Sequence, residues 1–71
     1  MVTQTRILVV DQYAIVRAGL RSVLNQDTSL VVVGEATREA EVLRQVQRHH
    51  PEVVIMDLRL PETVTEPTAT P

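Results

Sequence analysis

The sequence contains no cysteine, phenylalanine or tryptophan, and its single aromatic residue is Tyr13. Without cysteine, neither disulfide bonds nor thiolate metal sites can form, which excludes thiol redox chemistry and suits a reducing compartment. A core without large aromatic rings must be built from Val, Leu, Ile, Ala and Met side chains. In a chain of 71 residues that core is small, because a domain of this size buries only about 60% of the surface that its unfolded chain exposes.

Long hydrophobic runs are also missing. The longest apolar run has about five residues, whereas a membrane helix needs roughly 20, and the first residues lack a signal-peptide core. Seven basic and nine acidic residues leave a formal charge of -2, which provides no field suited to DNA, RNA or an anionic bilayer. We therefore predict a cytoplasmic protein that contacts neither a membrane nor nucleic acid through this segment.

Three short apolar runs, at residues 7–10, 30–33 and 53–56, are rich in β-branched side chains and lack polar alternation. Such runs are typical of parallel strands that are covered on both faces. Between the first two runs, apolar residues recur at spacings of three and four, which predicts an amphipathic helix ending near Asn25. Its apolar positions are Val16, Leu20, Val23 and Leu24, and Arg17, Arg21 and Ser22 lie on the opposite side.

A second helix is predicted between the second and third runs, where Val42, Leu43 and Val46 form a narrower apolar stripe. Thr37 is the expected cap at its start, and Pro51 marks its end. The adjacent His49 and His50 suggest a metal pair, but neighbouring side chains on a helix point apart, so we expect surface residues. Arg17 and Arg21 are likewise expected on a solvated helix face.

The alternation of strand, helix, strand, helix and strand predicts an α/β fold with a parallel sheet and right-handed crossovers. With strand order 2-1-3, the helices cover opposite faces, and a crevice opens beyond the carboxyl ends of strands 1 and 3. Asp11 and Asp57 follow those two strands. After residue 61 the composition becomes rich in Thr and Pro, which predicts a disordered tail over residues 62–71.

Two carboxylates at neighbouring strand ends repel each other unless they share a proton or bind a divalent cation. Hard oxygen ligands without cysteine favour Mg²⁺, and a carboxylate beside Mg²⁺ can attack a phosphoryl group because the metal neutralises the opposing charge. The alternative is that Asp11 and Asp57 serve only in turns after strands, which is the commoner use of either residue taken alone.

Three segments resemble the receiver domain of two-component response regulators: residues 7–11 (ILVVD), 32–36 (VVGEA) and 51–61 (PEVVIMDLRLP). Residues 16–20 (VRAGL) resemble the subgroup whose receivers precede a helix-turn-helix output domain. The resemblance implies a truncated flavodoxin-like fold, with residues 5–61 as the amino-terminal portion of a receiver. It also implies a module that accepts phosphate from a sensor histidine kinase.

By this resemblance Asp57 is the phosphoacceptor. Asp11, Asp57 and the main-chain carbonyl of Arg59 belong to the Mg²⁺ site, and Pro61 shapes the following loop. Gln12 stands where the family has a second acidic residue, so it is a doubtful ligand and Mg²⁺ binding is expected to be weak. The family's later strands, with a hydroxyl residue and a lysine that contact the phosphoryl group, have no counterpart here, which implies impaired activity.

Two other interpretations remain open beside this one. The chain could be a receiver fragment that cannot be phosphorylated and acts only as a protein-interaction module or is an inactive gene remnant. A hydrolase using an aspartyl-phosphate would have a second Asp two residues after Asp57, where this chain has Arg59, so we do not expect an enzyme. The apolar edge of the third strand also suggests self-association.

Overall fold

The computed structural model describes residues 3–60, which form three strands and two helices in the predicted order. The elements are β1 (Thr5–Val10), α1 (Ala14–Leu24), β2 (Leu30–Ala36), α2 (Glu39–His49) and β3 (Val53–Met56). The predicted tail at residues 62–71 and the expected role of Pro61 lie outside the described residues. Neither described helix has the length and apolar character required to cross a membrane.

Strand β1 lies at the centre of a parallel sheet with the order β2-β1-β3, which confirms the predicted topology. Its last four residues pair with the whole of β3, from Ile7 opposite Val53 to Val10 opposite Met56. These four β1 side chains are at most 3% exposed. The centre of the core is therefore one short strand that neighbours cover on both edges and both faces.

The two helices cover opposite faces of the sheet. Leu8, Val10 and Ala36 form a buried cluster against which Val42 and Val46 of α2 pack. Because successive side chains of a strand point to opposite faces, the other β1 side chains face away from α2. Helix α1 contacts β1 and β2 on that second face, as the doubly wound arrangement requires.

Strand β2 is longer than the predicted run at residues 30–33, since it continues through Gly34, Glu35 and Ala36. The register with β1 shifts between Ile7 and Leu8, and pairing resumes with Leu8 opposite Gly34. Such a bulge inserts one extra residue without ending the ladder. Gly34 and Glu35 interrupt the apolar run, which is why the run alone underestimates the length of the strand.

The start of α2 corrects the expected cap at Thr37, because Arg38 occupies the N-cap position and no side chain caps the helix there. Instead, the Thr37 main-chain N–H donates a hydrogen bond to Glu41 Oε1 at 2.7 Å. This hydrogen bond holds the pKa of the Glu41 carboxyl below its ordinary value. The predicted end is confirmed, with His50 in the left-handed region at φ 49° just before Pro51.

Several side chains of the predicted helix stripes are exposed. Val23 is 63% exposed and Leu43 is 64% exposed, so the expectation that both belong to covered faces is wrong. The physical reason is the width of the sheet: within residues 3–60 the helices contact β1 and β2, and neither contacts β3. The expectation for the histidines holds for His50, whereas His49 is half-buried against β2.

Gly34 allows this close approach of α2. A β-carbon at residue 34 would lie 2.8 Å from His49 Cδ2 and 3.0 Å from Gln45 Oε1, distances that are shorter than van der Waals contact. By contrast, a β-carbon at Gly19 in α1 would meet nothing within 4 Å. The two glycines therefore provide a matched pair for testing the packing of α2 on β2.

We expect Gly34→Val to lower the free energy of unfolding by about 1–3 kcal/mol, since the added atoms force α2 away from the sheet. Gly19→Ala should instead raise it by roughly 0.5–1 kcal/mol, because alanine restricts the unfolded chain and favours helix. Urea unfolding followed by circular dichroism measures both. His49→Ala should recover part of the loss in the Gly34→Val background; no recovery would show that His49 is not the obstacle.

Candidate functional site

The two aspartates predicted as site residues lie side by side at the carboxyl edge of the sheet. Asp11 directly follows β1, and Asp57 directly follows β3. The Asp57 main-chain N–H donates to the carbonyl of Val10 at 3.1 Å, which extends the ladder between the two strands to the site itself. Asp11 is tied in the same way to β2, through its N–H and the carbonyl of Ala36 at 3.1 Å.

Each aspartate also closes the same kind of turn. Oδ1 of Asp11 accepts the main-chain N–H of Tyr13 at 2.9 Å, and Oδ1 of Asp57 accepts that of Arg59 at 3.0 Å. In such Asx turns the side chain replaces a main-chain carbonyl. Within residues 3–60, Oδ2 of neither aspartate takes part in a hydrogen bond. The turn function and a chemically available oxygen therefore coexist in both residues.

Asp11 is only 8% exposed and is the one buried charged residue in the described part of the chain. A buried carboxylate is costly unless opposite charge or hydrogen bonds compensate it. Arg17 of α1 supplies a cation nearby: its Nη1 donates to the main-chain carbonyl of Asp11 at 2.8 Å, and its Nε donates to Glu35 Oε1 at 2.8 Å. Arg21 also pairs with Glu35.

This cluster corrects the expectation that Arg17 and Arg21 lie on a solvated helix face. The Arg17 side chain is only 16% exposed, and both guanidinium groups face Glu35 of β2. The sequence carried a signal that was missed, namely a single glutamate inside an otherwise apolar strand. A charged side chain on a strand that a helix covers needs a partner on that helix.

Gln12 lies beside Arg59 and presents its donor end. Its Nε2 faces the main-chain carbonyl of Arg59 at 3.4 Å, a long contact that is weak as a hydrogen bond. An amide N–H cannot coordinate a cation, so this contact competes with any metal for the Arg59 carbonyl. Gln12 thus differs from a carboxylate in two respects: it lacks the negative charge, and it offers a donor to an expected ligand.

The oxygens at this edge suit Mg²⁺ in kind. The carboxylates of Asp11 and Asp57 and the carbonyl of Arg59 are hard oxygen donors, of the type that Mg²⁺ binds together with water. The described residues contain no cluster of three or more His, Cys, Asp or Glu side chains able to hold a metal. A cation here would therefore depend on two carboxylates, a main-chain oxygen and water.

Residues 7–65 match the family described as the response regulator receiver domain. The chain is 40% identical over 57 residues to the DNA-binding transcriptional activator DevR/DosR of Mycobacterium tuberculosis, a match that covers 80% of this chain and 26% of that protein. It is 41% identical over 56 residues to a protein-glutamate methylesterase/protein-glutamine glutaminase of Pyrococcus abyssi, covering 79% of this chain and 15% of that protein.

Two solved structures share the fold. The signal receiver domain of the response regulator NarL from M. tuberculosis superposes with a TM-score of 0.78 at 34% identity, covering 83% of this chain and 48% of that chain. RcsB from Salmonella enterica serovar Typhimurium, bound to the promoter rprA in the presence of the phosphomimetic BeF₃⁻, gives a TM-score of 0.80 at 26% identity. That match covers 86% of this chain and 30% of that chain.

We expect Gln12→Asp to strengthen Mg²⁺ binding by about tenfold, because one added unit charge close to a divalent cation contributes roughly 1–2 kcal/mol in a solvated site. The substitution also removes the donor that faces the Arg59 carbonyl. Gln12→Asn is the matched control, since it has the shape of aspartate without its charge, and it should not strengthen binding. Calorimetric or NMR titration measures the affinity; tight micromolar binding by the unmodified chain would contradict the role given to Gln12.

Proposed function

Because the chain belongs to the response regulator receiver domain family, we propose that it accepts a phosphoryl group on Asp57 from a sensor histidine kinase, with impaired efficiency. The observation that carries this proposal is the position of Asp57 and buried Asp11 directly after two adjacent, paired strands. The chain spans about a quarter of the length of DevR/DosR, 26%. The output of any longer protein is therefore outside this proposal.

The residues have distinct roles in the proposed transfer. Oδ2 of Asp57 is the nucleophile: it forms the new bond to phosphorus while the phosphorus–nitrogen bond of the donor phosphohistidine breaks, and the imidazole nitrogen takes up a proton from water. Asp11, Asp57 and the Arg59 carbonyl would hold Mg²⁺. When bound, Mg²⁺ neutralises the negative charge that otherwise opposes the approach of a phosphoryl group.

One feature supports impaired rather than full activity: Gln12 weakens the metal site as described above. Electrostatic stabilisation of the transferring group is among the largest contributions to catalysis, so a metal that is held less tightly slows transfer without removing the nucleophile.

The second candidate function is a receiver fragment that cannot be phosphorylated and acts only through protein contacts, or an inactive gene remnant. Gln12 favours it, because the amide lacks the charge of a carboxylate ligand. We also propose that this segment has no enzymatic activity of its own. The shared part is 15% of the methylesterase, and Arg59 replaces the second aspartate expected of a phosphatase-type hydrolase.

The proposal extends to partners and location. Within residues 3–60, β3 pairs only with β1, and its outer edge carries exposed apolar residues such as Val53, Val54 and Met56 at 42%, 38% and 42%. An uncharged edge of this kind is a template for pairing with another strand, so we include self-association through β3.

We further propose a cytoplasmic location and no direct contact of this segment with nucleic acid, consistent with its net charge of -2.

Acetyl phosphate with Mg²⁺ should label the chain slowly, about tenfold or more below the rate of its Gln12→Asp variant, because a weaker metal site stabilises the transferring group less. Intact-mass spectrometry measures the label, which Asp57→Asn should abolish. Asp27→Asn is a matched control, because Asp27 also closes an Asx turn, with the N–H of Ser29 at 2.9 Å, but away from the site. Rapid stoichiometric labelling would contradict impairment; complete absence of label would favour the second candidate function.

Self-association should increase with concentration in sedimentation velocity, and Val54→Lys should reduce it by placing a charge on the β3 edge. Val23→Lys makes the same change at a 63% exposed position on α1 and should leave association unchanged. A monodisperse monomer with slowly exchanging amides at residues 53–56 would overturn this part of the proposal. If Val54→Lys and Val23→Lys reduced self-association equally, the contact between copies would not lie at the β3 edge.

A further inference from the structure

The main-chain carbonyl of Asp11 lies just beyond both ladders of the sheet. Pairing of β1 ends at Val10, which lies opposite Ala36 on one side and Met56 on the other. A carbonyl at a residue only 8% exposed has little access to water, and a buried acceptor without a partner is costly. Arg17 provides that partner through Nη1 at 2.8 Å.

Arg17 is itself held in place by Glu35. The same guanidinium that binds the Asp11 carbonyl donates Nε to Glu35 Oε1 at 2.8 Å, and Glu35 lies opposite Val9 in the sheet. The rigid, planar guanidinium can bind two acceptors in a fixed relative position, which a lysine ammonium on a flexible stem cannot do. Arg17 thereby ties α1 both to the end of β1 and to β2.

Arg21 shares the carboxylate but not the site. Arg21 pairs with Glu35 Oε2, and its side chain is 43% exposed compared with 16% for Arg17. Within residues 3–60, Arg21 makes no hydrogen bond to Asp11. Two guanidinium groups on one carboxylate leave one net positive charge beside Asp11. Arg17 and Arg21 are thus alike in charge and in their partner, and differ in contact with Asp11.

We infer that Arg17 is a positioning residue for Asp11: by clamping the main-chain carbonyl, it holds the free carboxylate oxygen Oδ2 where it can share a cation with Asp57. The inference rests on the proposed function, since it concerns the same metal site. A positioning role and a purely electrostatic role of Arg17 predict opposite effects of its removal on cation affinity. Removing a positive charge near a cation site strengthens cation binding, whereas removing a positioning contact weakens it.

The test compares Mg²⁺ affinity of Arg17→Met and Arg21→Met by NMR titration, at concentrations at which the chain is monomeric. Arg17→Met should weaken binding by about tenfold, as is usual when a residue supporting a metal ligand is lost. Arg21→Met should leave binding unchanged or slightly stronger. Arg17→Lys keeps the charge but cannot reach both acceptors, so it should also weaken binding. Unchanged or stronger binding in a folded Arg17→Met would overturn the inference.

A second readout does not need the metal. The main-chain N–H of Tyr13 donates to Oδ1 of Asp11, so the chemical shift of this amide proton reports on the position of Asp11. In metal-free protein, Arg17→Met should change that chemical shift and Arg21→Met should not. If the unmodified chain binds no Mg²⁺, the proposed function fails. The chemical shift of the Tyr13 amide proton then still decides whether Arg17 positions Asp11. If circular dichroism shows that Arg17→Met does not fold, Arg17→Lys decides in its place. Equal shifts in both arginine variants would reduce Arg17 to a general stabilising role.

Discussion

The two ladders of main-chain hydrogen bonds that hold β1 between β2 and β3 determine both the core and the candidate site. They bury the side chains of Leu8, Val9 and Val10 to 1% exposure or less, and they end where the aspartates begin. A change in register by one residue would exchange the faces on which the β1 side chains pack. It would also separate Asp11 from Asp57, so the same pairing that stabilises the fold positions the carboxylates.

The features that could be predicted from sequence are those set by local patterns. Apolar runs and three- and four-residue spacings identify strands and helices, and the alternation of the two with right-handed crossovers restricts the topology. Glu35 within β2 indicates that a partner is needed, but its pairing with Arg17 depends on how α1 is rotated against a strand distant in sequence. The approach of His49 to Gly34 is likewise a property of packing. The site aspartates are predictable because both directly follow apolar runs, whereas the hydrogen bonding of their carboxylate oxygens depends on the folded structure.

The exposed apolar side chains have a common geometric origin. A sheet of three strands is narrower than the apolar stripes of its helices, so Val23 and Leu43 extend beyond the surface that β1 and β2 offer. Strand β3 is covered by neither helix in the described part of the chain. Limited burial of this kind makes stability sensitive to single contacts, such as the Arg17 clamp.

Asp27 shows why a turn aspartate is not by itself a site. Its carboxylate accepts the N–H two residues later, as those of Asp11 and Asp57 do, but it lies in an exposed turn before β2 with no second carboxylate at a paired strand end. What separates the site from such a turn is the proximity of two negative groups, one of them buried. That arrangement opposes folding, because each carboxylate raises the electrostatic cost of the other. A cation relieves this cost in proportion to its charge, so the mutual repulsion of the two carboxylates and their affinity for a divalent ion have the same physical origin.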